Sequence, residues 1–174
     1  GAYIDSLQER ASSAHVDHLQ NNKYYDKDNN HIATKFRQTQ SKKFYSEGNM
    51  SGAVLFGQNK FNQGGKYITV CEGELDAMSA YELLGSKWPV VSIKNGATSA
   101  LKNCQQALDY LNKFDQIVLC FDNDKQGREA EQKVAKLFEP NKCKIMGLDL
   151  KDANEYLKTG QREKFVNTWW NART

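Results

Sequence analysis

Residues 67–76 read YITVCEGELD. The apolar and β-branched residues at the start of this segment are typical of a buried strand, and the pattern becomes helical after Asp76. Three acidic residues lie where the strand pattern ends and the helical pattern begins: Glu72, Glu74 and Asp76. We therefore interpret the segment as a core strand that ends in an acidic site.

Acidic residues follow two further apolar runs, residues 116–121 and 143–148. They are Asp122, Asp124, Asp149 and Asp152. In an open α/β sheet, ligands bind beyond the carboxyl ends of the strands, so these acids are expected to converge. Clustered carboxylates repel one another unless a cation neutralises them, and oxygen ligands favour magnesium or manganese over zinc. The sequence thus predicts a site for Mg²⁺ or Mn²⁺.

Two of these acids have a simpler explanation. Glu74 stands at a helix start, where an acid interacts with the helix dipole and contributes about 0.3 to 1 kcal/mol. Asp149 is expected to be a loop acid. We therefore do not count either among the expected ligands.

The bulk composition is that of an ordinary globular chain. It has 174 residues, of which 39% are hydrophobic, and this fits one domain or two small ones with a packed core. No apolar run approaches the roughly 20 residues that span a bilayer, and no signal peptide is evident. We expect a cytoplasmic protein without membrane contact.

The four cysteines, at positions 71, 104, 120 and 143, lie far apart, and three of them fall in predicted core strands. We expect buried, reduced thiols. The sequence has no C-x-x-C pair and no Cys/His cluster, so no zinc site is expected in this chain.

The net charge of +3 is unevenly distributed. Residues 21–66 contain eight Lys/Arg and three acids, whereas residues 1–20 contain one Arg and three acids. A basic segment beside an acidic metal site suits a polyanionic substrate. A solvated β surface explains the lysines equally well at this stage.

The basic segment predicts a small β subdomain. After a weak helical period over residues 3–20, residues 24–37 resemble two strands joined by an Asp/Asn turn. Residues 41–45 are expected to extend this sheet, with Phe44 in its core. In the second strand, alternation places Lys35 and Arg37 on the face opposite Phe36.

From residue 67 onward, strand and helix patterns alternate. Strands are predicted near residues 67–70, 89–93, 116–121 and 143–148, each followed by a helix. This order predicts an α/β fold with a parallel sheet covered by helices on both faces. Gly and Asn residues place the domain boundary near residues 60–66.

Three motifs together resemble the signature of the Toprim family, which includes primases, topoisomerases and several nucleases. They are EGELDA at residues 72–77, D-x-D-x-x-G at residues 122–127 and KDANEYL at residues 151–157. The third is similar to the last acidic motif of primases, and the basic β segment is similar to their amino-terminal subdomain. The likeness extends over nearly the whole chain and narrows to the primase half of the bifunctional primase-helicases of T-odd bacteriophages. Asn154 departs from the aspartate usual in cellular primases.

The resemblance implies a Toprim-type parallel sheet flanked by helices, preceded by a small basic, mainly antiparallel β subdomain. The implied domains are residues 3–62, which would grip template and nucleotide, and residues 63–174, which would be catalytic. The implied activity is that of a DNA primase, a nucleotidyltransferase that makes short RNA primers on single-stranded DNA by two-metal catalysis.

The resemblance also implies the site residues. The implied catalytic residues are Glu72, Asp76, Asp122 and Asp124, and the implied metal ligands are these four and Asp152. Glu72 would act as a base, as a ligand or electrostatically. Lys35, Arg37, Lys42 and Lys43 are the candidates for contacts with the template or the triphosphate.

The implied partners are a single-stranded DNA template and ribonucleoside triphosphates. A zinc-binding template-recognition module and a replicative helicase would act in cis or in trans, inside the infected bacterial cell if the protein is viral. Other interpretations remain open. A Toprim nuclease would use the same acids to cut DNA, and a catalytically idle Toprim module would only bind nucleic acid.

Overall fold

The computed structural model describes residues 19–38, 41 and 43–174. The expected helix over residues 3–20 lies outside this range except for residues 19 and 20, which begin a strand. Lys42 also lies outside the described residues. None of the helices within the described ranges is long and apolar enough to cross a bilayer.

The first sheet is an antiparallel meander of three strands. They are β1 (Leu19–Tyr25), β2 (His31–Gln38) and β3 (Phe44–Gly48). The turn between β1 and β2 forms because the Asp26 side chain accepts the backbone N–H groups of Asp28 and Asn30, while Asn29 takes a left-handed conformation. The predicted β subdomain is confirmed.

The second sheet has four parallel strands in the order β5-β4-β6-β7. They are β4 (Gly65–Cys71), β5 (Val90–Ser92), β6 (Phe114–Cys120) and β7 (Cys143–Ile145). The predicted parallel sheet is confirmed. The last strand is shorter than the predicted 143–148 because the chain turns away from the ladder, and the Leu148 carbonyl instead accepts the Asn123 side-chain amide at 2.9 Å.

Helices cover both faces of the second sheet. They are α1 (Glu74–Leu83), α2 (Ala100–Gln106), α3 (Leu108–Leu111), α4 (Lys125–Ala135), α5 (Ala153–Lys158) and α6 (Arg162–Trp170). Val118 and Cys120 of β6 pack with α1, α5 and α6. Ile117 and Leu119, which point to the other face, pack with α2, α3 and α4. All four cysteines are buried and free, as expected.

The segment after β3 joins the two sheets. The Val54 N–H donates to the Tyr25 carbonyl at 2.9 Å, and Phe56 forms an antiparallel bridge with Ser92 on β5. The first sheet is thereby attached beside the edge of the second one, and its β2 strand lies next to the start of α1.

The expectation that Phe44 lies in a core is wrong. Its side chain is 63% exposed, and that of Tyr45 is 53% exposed. The packed part of the first sheet is instead the end that carries Tyr24 and Ala33, because this end abuts the second sheet. Phe44 and Tyr45 pair with Arg37 and Phe36, at the opposite end of the sheet, and are therefore exposed.

Candidate metal centre

Three carboxylates converge where the strands of the second sheet end. Asp76 lies in the first turn of α1, Asp122 follows β6, and Asp152 is the N-cap of α5. One oxygen of each lies within 4.8 Å of the others. The predicted convergence at the carboxyl edge of the sheet therefore occurs, for these three residues.

Two of the three carboxylates are held by backbone amides. Asp76 Oδ1 accepts the N–H of Asn154 at 3.1 Å, and Asp152 Oδ1 accepts the N–H of Glu155 at 3.0 Å. Asp122 Oδ1, in contrast, is buried and has no hydrogen-bond partner among the described residues. A buried carboxylate oxygen without a donor is energetically costly, and a cation ligated by this oxygen would remove the cost.

The electrostatics of the cluster also favour a cation. Burial, followed by repulsion from Asp152 and Asp122, raises the pKa of Asp76 well above its ordinary value. Burial and the charge of Asp152 likewise raise the pKa of Asp122, and burial raises that of Asp152. Repulsion of this kind disappears when a divalent ion shares the charge. The donor set, all carboxylate oxygen, is one that Mg²⁺ or Mn²⁺ prefers.

Glu72 lies beside the cluster. Its Oε1 accepts the N–H of Asp122 at 3.3 Å. Burial and the nearby charge of Asp122 raise the pKa of Glu72 to about 7. Near neutral pH, this carboxyl is therefore poised between its charged and neutral forms.

Asp124 is engaged differently. It is the N-cap of α4, where its Oδ1 accepts the N–H of Gly127 at 2.8 Å. Its Oδ2 forms an ion pair with the ammonium of Lys151, and this contact lowers the pKa of Asp124. Asp124 therefore borders the three-carboxylate cluster with one oxygen used for capping and the other for the ion pair.

Glu74, at the start of α1, faces away from the cluster. Its Oε2 lies 2.6 Å from Lys35 Nζ and accepts the Tyr24 hydroxyl at 2.6 Å. Lys35 is only 7% exposed and also donates to the Lys94 carbonyl. The lysine that the resemblance assigns to nucleic acid is thus directed at an acid of the second sheet's first helix.

The other basic candidates are more accessible. Arg37 is half-buried and lies on the same face of β2 as Lys35, directly opposite Phe44 of β3. Lys43 is exposed. Neither forms a salt bridge within the described part of the chain.

Sequence reasoning missed Glu131 of α4. It is 4% exposed, its Oε2 has no partner among the described residues, and burial raises its pKa to about 8. The charges of Glu72 and Asp122 contribute to this rise. The sequence does indicate that Glu131 is buried, because this residue follows the helical spacing of the buried residues Gly127, Ala130 and Val134.

Comparisons with known proteins cover the segment that carries this site. A model of the Toprim-like family matches residues 69–157, slightly more than half of the chain. A DNA helicase/primase of Enterobacteria phage T3 is 36% identical over 149 residues, which are 86% of this chain and 26% of that protein. The chain thus spans about a quarter of the length of this relative.

Two solved structures are similar in fold and in sequence. The primase fragment of the bacteriophage T7 primase-helicase protein is 37% identical with a TM-score of 0.79, and the match covers 86% of this chain and 62% of that one. A chain from the structure of bacteriophage T7 lagging-strand DNA polymerase interacting with primase domains, bound to an RNA/DNA hybrid and dTTP, is 34% identical. Its TM-score is 0.83, and the match covers 97% of this chain and 87% of that one.

Proposed function

This chain belongs to the Toprim-like family, and on that premise we propose that it is the catalytic core of a DNA primase. Such a core is a nucleotidyltransferase that joins ribonucleotides into a short RNA primer on single-stranded DNA. The observation that carries the proposal is the convergence of Asp76, Asp122 and Asp152 beside a basic β subdomain. Similarity to primases of phages T3 and T7 supports it.

The chain's acids suit the charge that develops in nucleotidyl transfer. Asp76, Asp122 and Asp152, with Asp124 and Glu72 alongside, would hold two divalent cations, either Mg²⁺ or Mn²⁺. These cations would neutralise charge on the attacking and leaving oxygens. The orphaned oxygen of Asp122 and the raised pKa values within the cluster fit such an occupant.

Glu72 takes the proton of the attacking 3′-hydroxyl. To act as a general base, it must be a carboxylate held within reach of the proton that it accepts, and Glu72 lies beside the clustered carboxylates. The Asp122 N–H fixes one Glu72 oxygen, so the carboxylate keeps its orientation while it accepts the proton.

The two parts of the chain have different proposed roles. Residues 3–62 bind the template and the nucleotide through Arg37, Lys42 and Lys43, and residues 63–174 carry out the reaction. Lys35 contributes by fixing the position of the first sheet against α1. A zinc-binding module that reads the template and a replicative helicase act with this core, in cis or in trans, inside an infected bacterial cell.

The test is extension of a diribonucleotide annealed to single-stranded DNA, with ribonucleoside triphosphates and Mg²⁺. Supplying the diribonucleotide bypasses initiation, the step that most needs a zinc module. Wild type is compared with Asp122→Asn and with Asp149→Asn as the matched control. Asp149 is an exposed acid that pairs with Lys164 at 3.0 Å, away from the cluster.

We expect extension by the wild type and by Asp149→Asn, and none by Asp122→Asn. Metal-dependent nicking of DNA without extension would replace the primase proposal with a Toprim nuclease. Binding of single-stranded DNA without extension or nicking would replace it with a module that only binds nucleic acid.

A further inference from the structure

We propose that Lys151 is a built-in counter-ion of the metal centre, which a divalent cation displaces and which then binds a phosphate of the substrate. The first half of this inference concerns the cation alone. The second half rests on the proposed function, because it names a nucleoside triphosphate as the ligand of the displaced ammonium.

The contacts of Lys151 place its ammonium between two proposed ligands. Its Nζ forms an ion pair with Asp124 Oδ2 and lies 3.9 Å from Asp122 Oδ2. Its backbone carbonyl accepts the N–H of Asn123 at 2.7 Å. The residue is thus attached to the loop between the two aspartates by its main chain and paired with both by its side chain.

The ammonium and a cation compete for the same oxygens. Asp124 Oδ1 already caps α4 by accepting the Gly127 N–H, which leaves Oδ2 as the oxygen that Asp124 offers to a metal. Lys151 holds that oxygen. A divalent ion that ligates Asp124 must therefore break the ion pair, and like charges then favour departure of the ammonium from the site.

The lysine is able to leave. Its side chain is 51% exposed, whereas that of Asp122 is 19% exposed, so the ammonium can rotate into solvent while the carboxylate stays. Lysine has a flexible stem and a compact charge, and it serves as a common ligand of phosphate. The rotated ammonium remains anchored next to Asp152, where the triphosphate of a nucleotide would lie against the metal centre.

The first experiment measures Mn²⁺ binding to the protein without nucleotide, by calorimetry and by the loss of the free-ion paramagnetic resonance signal. Lys151→Met is compared with wild type and with Lys164→Met. Lys164 is a matched control because it is 49% exposed and forms a surface ion pair with Asp149 at 3.0 Å, outside the cluster. A partly exposed ion pair is worth up to about 1 kcal/mol, so we expect Lys151→Met to bind Mn²⁺ about 5-fold more tightly. Lys164→Met is expected to bind Mn²⁺ as the wild type does.

The second experiment measures binding of ATP to the Mn²⁺-saturated proteins by equilibrium dialysis. We expect Lys151→Met to bind ATP about 10-fold more weakly and the ATP affinity of Lys164→Met to be unchanged. Unchanged or weaker Mn²⁺ binding by Lys151→Met would overturn the counter-ion assignment, and unchanged ATP binding would overturn the phosphate contact. A wild type that fails to extend primers leaves the Mn²⁺ comparison intact, so the two proposals fail separately. A Lys151→Gln variant with the same result excludes an effect peculiar to methionine.

Discussion

The ammonium of Lys35 lies 2.6 Å from a carboxylate oxygen of Glu74, and both side chains are less than a tenth exposed. Lys35 belongs to β2 of the first sheet, and Glu74 begins α1 two residues before Asp76. The Tyr24 hydroxyl donates to the same Glu74 oxygen. This buried ion pair therefore attaches the basic sheet to the helix that carries one of the three clustered carboxylates.

We expect Lys35→Met to lower the free energy of unfolding by about 3 to 5 kcal/mol, because it leaves the charge of Glu74 buried without its partner. The double variant Lys35→Met/Glu74→Gln removes both charges and keeps an acceptor for Tyr24, so it should recover most of the loss. Urea unfolding followed by circular dichroism measures both. A double variant no more stable than Lys35→Met would show that the unpaired charge is not the cause.

The positions of the acids could be predicted because topology constrains them strongly. Parallel strands end at one edge of a sheet, so residues that directly follow apolar runs, such as Asp122 after β6, must meet there. Helix capping explains the positions of two further acids. Asp124 and Asp152 are the N-caps of α4 and α5, and the acidic side chain at such a position is a recognisable helix start.

Which face of the first sheet is buried could not be predicted in the same way. Alternation establishes that Lys35 and Phe36 point to opposite sides of β2, but it does not say which side is packed. Apolarity suggested an aromatic core, whereas a lysine is buried because Glu74, 39 residues further along the chain, supplies its partner. Long-range pairing of this kind leaves no mark in a local pattern.

Arg37 and Lys43 should behave differently from Lys35. If they contact phosphates, Arg37→Ala and Lys43→Ala will each weaken single-stranded DNA binding about 3- to 10-fold at low salt and reduce the salt slope by about 0.7 per contact. Fluorescence anisotropy over a range of salt concentrations measures this. Lys23→Ala is the control for Arg37→Ala, since Lys23 lies opposite Thr34 and points away from the face that carries Arg37. An equal effect of Lys23→Ala would mean that overall charge, not this face, determines affinity.

Gly127 is required by a close approach within the metal centre. A Cβ at this position would lie 2.1 Å from the Asp122 carbonyl oxygen and 3.1 Å from Glu72 Oε1. Gly127→Ala must therefore displace the loop that holds Asp122, and we expect a loss of about 1 to 3 kcal/mol in stability together with weaker Mn²⁺ binding. Gly147→Ala is the control, because nothing lies within 4 Å of its added methyl group. Thermal melts measure the stability of the two variants, and titrations measure their Mn²⁺ affinity. Equal stability and equal Mn²⁺ affinity of the two variants would contradict this explanation.

The last prediction concerns pH. In the folded protein, burial raises the pKa of Glu72 to about 7 and that of Glu131 to about 8, from an ordinary value of 4.5. Between pH 5 and 8 the folded state therefore holds more protons than the unfolded state, so the free energy of unfolding falls as pH rises. With a chelator present, the melting temperature should decrease from pH 5 to pH 8.

Two further measurements test whether Glu131 and the proposed metal ligands cause this pH dependence. Glu131→Gln removes a carboxyl that is partly ionised while buried at pH 8, so at that pH it should stabilise the protein by on the order of 4 kcal/mol and flatten the decrease. A divalent cation favours the charged form of its ligands, so saturating Mg²⁺ should raise the melting temperature more at pH 8 than at pH 5. A melting temperature that rises with pH in the presence of chelator would mean that these carboxyls are already charged in the folded protein at pH 5.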